Sequence, residues 1–93
     1  MRREKLDAEA ITERLTSLDG WTAENGRLNK RFDFENFAAA LAFVNKAAAF
    51  AEAADHHPDI KLGWGYAEFD ITTHDRGGLT DFDFALAKKI DEL

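Results

Sequence analysis

The stretch from Asn36 to Ala54 constrains the fold more than any other part of the chain. It is rich in alanine, the best helix former, and contains neither glycine nor proline. Phe37, Leu41, Val44, Ala48 and Ala51 recur at helical spacing and form one apolar stripe. Phe43, Ala47 and Phe50 form a second, neighbouring stripe. Together they make an apolar surface wider than one sheet face needs. The second stripe either completes the core or faces a second subunit. Pro58 closes the region, because the residue before a proline is biased away from helix.

Strand pairs flank this helix. Asn25-Gly26 is a strong hairpin signal, since both residues tolerate the positive φ of a type I′ turn. Trp21 to Glu24 leads in and Arg27 to Phe34 leads out, with Leu28, Phe32 and Phe34 on one face. After Pro58, Ile60, Leu62 and Trp64 alternate with polar or small residues, and Phe69, Ile71 and Thr73 do the same. Gly65-Tyr66 is the expected turn between them. A first helix is expected after Asp7 as cap, with Leu6 and Ile11 as staple, Ile11, Leu15 and Leu18 as its apolar stripe, and Asp19-Gly20 as its stop. A last helix follows the loop 74–78. Thr80 and Asp83 resemble a capping box, Leu79 and Phe84 a staple, and Phe82, Leu86 and Ile90 its buried side. The order is αββαββα. It predicts an α+β fold, a four-stranded antiparallel sheet with helices packed on one face, in a single domain over residues 1–93.

The chain has 93 residues and a net charge of −6. That balance argues against a nucleic-acid surface, where Lys and Arg neutralise phosphates, and against an anionic membrane. The basic pair Arg2-Arg3 is followed at once by Glu4. With no cysteine, disulfides, thiolate catalysis and cysteine-based zinc sites are excluded. No signal peptide is visible after Met1, and the longest apolar run, Phe37 to Val44, falls far short of the ~20 residues of a membrane span. A cytoplasmic location is expected.

Three histidines carry the titratable chemistry near neutral pH. His56 and His57 sit at a helix end in Asp55-His56-His57-Pro58, and His74 lies at a strand end before Gly77-Gly78. Glu52, Asp55 and Asp59 surround the pair and could orient the imidazoles. Taken alone, the three are compatible with solvated surface as well as with a proton-transfer site. Three His plus a carboxylate can also bind zinc, yet adjacent residues in regular structure point apart, so His56 and His57 would need irregular backbone to share one ion. Gly77-Gly78 is too short to match a phosphate loop.

The spacing Glu52-x-x-x-His56-His57-Pro58, then Trp64, then His74, then Asp81 or Asp83, resembles the signature of the pterin-4a-carbinolamine dehydratases. Gly20-Trp21, Gly26-Arg27-Leu28, Phe32-x-Phe34-x-x-Phe37 and Gly78-Leu79-Thr80 also sit where that family has similar residues. The likeness runs from about Leu15 to the C-terminus. Three positions depart from the family pattern: Ile60 for a common aromatic, Trp64 for a common tyrosine, and Glu68 for a common histidine.

The resemblance implies dehydration of a 4a-hydroxytetrahydropterin to the quinonoid dihydropterin, as part of tetrahydrobiopterin recycling, with no cofactor and no metal. It implies His56, His57 and His74 as catalytic residues, and Glu52, Asp55, Pro58, Trp64 and Asp81 as substrate-binding residues. It also implies a homodimer or homotetramer and an aromatic amino-acid hydroxylase as functional partner. Animal members additionally act as dimerisation cofactors of a transcription factor, so a role as a protein-interaction module is the alternative.

Overall fold

The computed structural model describes residues 4–93; the Arg2-Arg3 pair lies outside them. The elements are α1 (Ala8–Leu15), β1 (Thr22–Glu24), β2 (Arg27–Asp33), α2 (Phe37–Ala53), β3 (Asp59–Gly63), β4 (Tyr66–Ile71), a short 3-10 turn (His74–Arg76) and α3 (Asp81–Asp91). The strands form one antiparallel sheet in the order β1-β2-β4-β3. This is the expected α+β arrangement. No described helix is long and apolar enough to cross a membrane.

The local signals act as chemistry dictates. Asp7 accepts the Ala10 amide at 2.8 Å and caps α1. Asn36 does the same for α2 through Ala39 at 2.8 Å. Asn25 and Gly26 have φ of 53° and 75°, as a type I′ turn requires. α1 ends at Leu15, short of Asp19-Gly20. There the Thr16 and Ser17 hydroxyls donate back to the carbonyls of Glu13 and Arg14, while the next amides bond three residues back. Such side chains compete with helical bonding and unwind the last turn.

Register separates the two sheet faces. Leu28 opposes Ile71, Phe32 opposes Ala67, and Ile60 opposes Phe69, all on the side covered by the helices. The other face is polar. There Arg27 pairs with Asp70 and, at 2.6 Å, with Asp59, and Asn29 donates to Glu68 at 2.9 Å. The hydrogen bond to Asp70 raises the pKa of Arg27 above its ordinary value.

Two expectations need correction, and one open alternative is resolved. The β3–β4 turn is Trp64-Gly65, one residue earlier than Gly65-Tyr66. Gly63 stays in β3 because it opposes Tyr66, whose ring lies where a side chain on Gly63 would stand. The roles of the α2 stripes are settled in favour of the second one as core. Phe43 packs on Phe32, Phe34 and Phe69 with ring centroids 4.9, 5.1 and 6.0 Å away, and Ala47 is fully buried. Phe37 and Leu41 of the first stripe are instead exposed. On α3, Phe84, Leu86, Ala87 and Ile90 are buried, whereas Phe82 is only half-buried and its ring leans toward His56.

Candidate active site

The C-terminus of α2 sets the position of the histidine pair. Asp55 has a φ of 52°, in the left-handed region. The amide of Asp55 donates to Glu52 O at 3.1 Å, and that of His56 to Ala51 O at 3.1 Å. These two bonds make a Schellman motif in which aspartate stands where glycine is usual. The reversal sends the two neighbouring imidazoles different ways. His56 turns inward and is 8% exposed, while His57 remains exposed.

Each imidazole meets a carboxylate. His56 Nε2 lies 2.6 Å from Asp83 Oδ1, and His57 Nε2 lies 2.6 Å from Glu52 Oε1. Asp83 is completely buried. Its other oxygen, Oδ2, accepts the Thr73 hydroxyl at 2.7 Å and the Thr80 amide at 2.8 Å. Thr73 and Thr80 are buried too, with their hydroxyls 2.9 Å apart. Asp83 thus serves as the capping-box residue of α3 and as the anchor of His56.

The end of β4 delivers the third histidine. Thr73 is followed by the 3-10 turn that begins at His74 and is closed by Gly77, whose φ is 68°. Asp55, His56, His57, Thr72, Thr73, His74 and Asp75 line one open cleft of about 220 Å³. It lies where β4 ends and β3 begins. Two other depressions border other groups. One of about 330 Å³ lies on the polar sheet face over Asn29, Asp59 and Asp70; Asn29 is bonded to Glu68, and both aspartates to Arg27. One of about 240 Å³ is apolar, lies between α2 and α3, and has His56 in its wall.

The structure thus gathers His56, His57, His74 and Asp55 round one cleft, with Glu52 bonded to His57 and half-buried Pro58 next in the chain. Trp64 and Asp81 are placed elsewhere. Trp64 is 73% exposed in the β3–β4 turn, separated from the histidines by the length of β3, about 16 Å at a strand's rise per residue. Asp81 faces α1 and accepts from Arg14 Nε at 2.6 Å. The motif spacing allows Asp81 or Asp83, and the resemblance implies Asp81 for substrate binding, but Asp83 is the one that reaches a histidine. Sequence reasoning missed Thr73 and Thr80 as site residues, although the capping box named Thr80 with Asp83. Among the described residues, no three His, Asp or Glu side chains are grouped so as to hold a metal ion.

This is a set of proton donors and acceptors around a small open cleft. The sequence profile for pterin 4 alpha carbinolamine dehydratase matches residues 4–93. The chain belongs to this family. Relatives provisionally named pterin-4-alpha-carbinolamine dehydratase include one from Roseiflexus sp. (strain RS-1), 51% identical over 94% of this chain and 92% of its own. Another, from Sulfolobus acidocaldarius, is 42% identical over 96% of this chain and 98% of its own. Among solved structures, a transcriptional coactivator/pterin dehydratase from Brucella melitensis superposes with a TM-score of 0.92 at 30% identity, covering 96% of this chain and 97% of that one. A pterin dehydratase-like protein described as a RuBisCO assembly factor in the alpha-carboxysome superposes with a TM-score of 0.65 at 27% identity, over 77% and 83% of the two chains. Proteins of this fold are therefore described by partnership as well as by chemistry.

Proposed function

We propose that the chain is a dehydratase that converts 4a-hydroxytetrahydrobiopterin to quinonoid dihydrobiopterin and water. The observation that carries this reading is the convergence of His56, His57 and His74 on one cleft, two of them held by carboxylates. In the reaction the C4a–O bond breaks as the hydroxyl gains a proton and leaves as water. The N5–H proton departs, and its electron pair closes the C4a=N5 double bond. His56 and His74 supply acid to the leaving hydroxyl, and His57, oriented by Glu52, binds the ring and takes the N5 proton. Asp55 and Pro58 contact the pterin. A positioned acid or base is typically worth about 10²–10⁴-fold, so neither metal nor cofactor enters the scheme. The physiological setting is a cytoplasmic homo-oligomer that serves an aromatic amino-acid hydroxylase, with no nucleic acid or membrane involved.

The test is stopped-flow decay of the 4a-carbinolamine with and without the protein, repeated after dialysis against a strong chelator. Acceleration that survives chelation is expected. Decay at the spontaneous rate would sink the dehydratase reading, and loss on chelation with recovery on zinc would replace it by a metal mechanism. A second reading, an interaction module, is favoured by the exposed Phe37 and Leu41 on α2 and by the coactivator and assembly-factor descriptions of the structural relatives.

A further inference from the structure

Asp83 receives three donors. Its Oδ1 meets His56 Nε2, and its Oδ2 accepts the Thr73 hydroxyl and the Thr80 amide. A carboxylate only accepts hydrogen bonds. The Thr73 proton therefore points at Asp83, so in the contact between the two hydroxyls Thr80 must be the donor and Thr73 the acceptor. The Thr80 oxygen in turn accepts the Phe82 amide at 3.2 Å. Every proton along this buried chain runs toward Asp83, and no donor is left over. The one arrangement that satisfies all partners has His56 donating from Nε2.

The tautomer of a histidine is set by the hydrogen bond that its other nitrogen makes. With Nε2–H committed to Asp83, Nδ1 is the nitrogen left for chemistry. Among the described residues Nδ1 has no hydrogen-bond partner, and no buried side-chain nitrogen or oxygen is unsatisfied, so Nδ1 is open to solvent. Thr73 is also the residue before His74, and its amide is tied to Gly78 O at 3.2 Å. A single residue therefore grips the anchor of one histidine and begins the turn that carries another.

We propose that Thr73, backed by Thr80, is a positioning residue that holds the Asp83 carboxylate against His56 Nε2–H, so that the proton His56 gives to the leaving hydroxyl is the second one, taken up on Nδ1. The catalytic part of this inference rests on the dehydratase reading; the tautomer does not. Nitrogen-15 NMR of the imidazoles in the full-length protein reads the tautomer directly, with no substrate present. The expected spectrum of the unmodified protein shows neutral His56 protonated on Nε2. Thr73→Val, which keeps shape and removes the hydroxyl, leaves Asp83 Oδ2 one donor short and frees the carboxylate to turn away from His56; it is expected to mix the two tautomers and lower kcat by about 10-fold with KM nearly unchanged. Thr73→Ser, which restores the hydroxyl, is expected to recover both. An Nδ1–H tautomer in the unmodified protein overturns the proposal even if no variant folds. A folded Thr73→Val with an unaltered tautomer and unaltered kcat overturns it equally. If the tautomer behaves as expected but the protein never accelerates dehydration, it is the dehydratase reading that fails.

Discussion

Gly26 and Gly78 meet backbone to backbone: a Cβ placed on Gly26 would stand 3.3 Å from the Cα of Gly78. The Thr72 hydroxyl fastens the same junction by donating to Gly26 O at 2.6 Å. The β1–β2 turn thus props the loop that carries His74, although the two are far apart in sequence. Gly26→Ala combines a positive-φ penalty with this tight approach, and a loss of about 1–2 kcal/mol is expected in urea unfolding. Because the prop lies under the His74 loop, dehydratase activity should fall with it. Unchanged stability and activity would remove the prop from the account.

The histidines should separate by burial. His74 is exposed, so His74→Ala should cost at least ~10-fold in dehydration rate and no more than about 0.5 kcal/mol in stability. His56 is buried against a carboxylate, so His56→Ala should cost a similar rate factor and a further 1–3 kcal/mol, roughly, because buried Asp83 loses a hydrogen-bond donor and the packing of the imidazole. Rate assays with parallel denaturant titrations distinguish the two. Equal stability losses would contradict the buried placement of the His56–Asp83 pair.

Asp55 offers the opposite trade. An aspartate at a left-handed helix end is tolerated but less favourable there than glycine. Asp55→Gly should therefore raise the melting temperature, by up to about 1 kcal/mol in stability terms, while activity drops if this carboxylate meets the pterin. A variant that is both more stable and fully active would remove Asp55 from the substrate contacts.

The two stripes of α2 allow a test of assembly. Phe43 lies among Phe32, Phe34 and Phe69, so Phe43→Asp should unfold the chain, a buried unpaired charge costing several kcal/mol, roughly. Leu41 is exposed on the same helix, so Leu41→Asp should leave the fold intact and, if this face joins copies of the chain, lower the sedimentation coefficient. A monomeric unmodified protein at micromolar concentration would refute self-association.

What was legible in the sequence was what short-range chemistry decides. The positive-φ pair at Asn25-Gly26, the cap at Asp7 and the Thr80–Asp83 box needed only their neighbours, and element order followed from them. What stayed illegible depended on distant partners. Helical periodicity reveals two stripes on α2 but not how far each is covered: rings from β2 and β4 assign Phe43 to the core, while the first stripe is split between buried Ala51 and exposed Phe37 and Leu41. The expected turn after β3 lies one residue late, because Tyr66 belongs to β4 through its pairing with Gly63 across the sheet. Asp81 and Asp83 both open α3. They differ because one points toward Arg14 and the other toward His56, a choice made by packing between elements far apart in the chain.

Asp83 belongs to two structures at once, the first turn of α3 and the hold on His56. Fraying of that turn and release of the imidazole are therefore a single local opening. Native proteins open locally with free energies well below that of global unfolding. The Thr80 amide, bonded to Asp83 Oδ2, exchanges its hydrogen only when this opening occurs. Its deuterium uptake becomes a clock for how often the site is out of register, and any partner or ligand that slows that clock has been felt at the histidine.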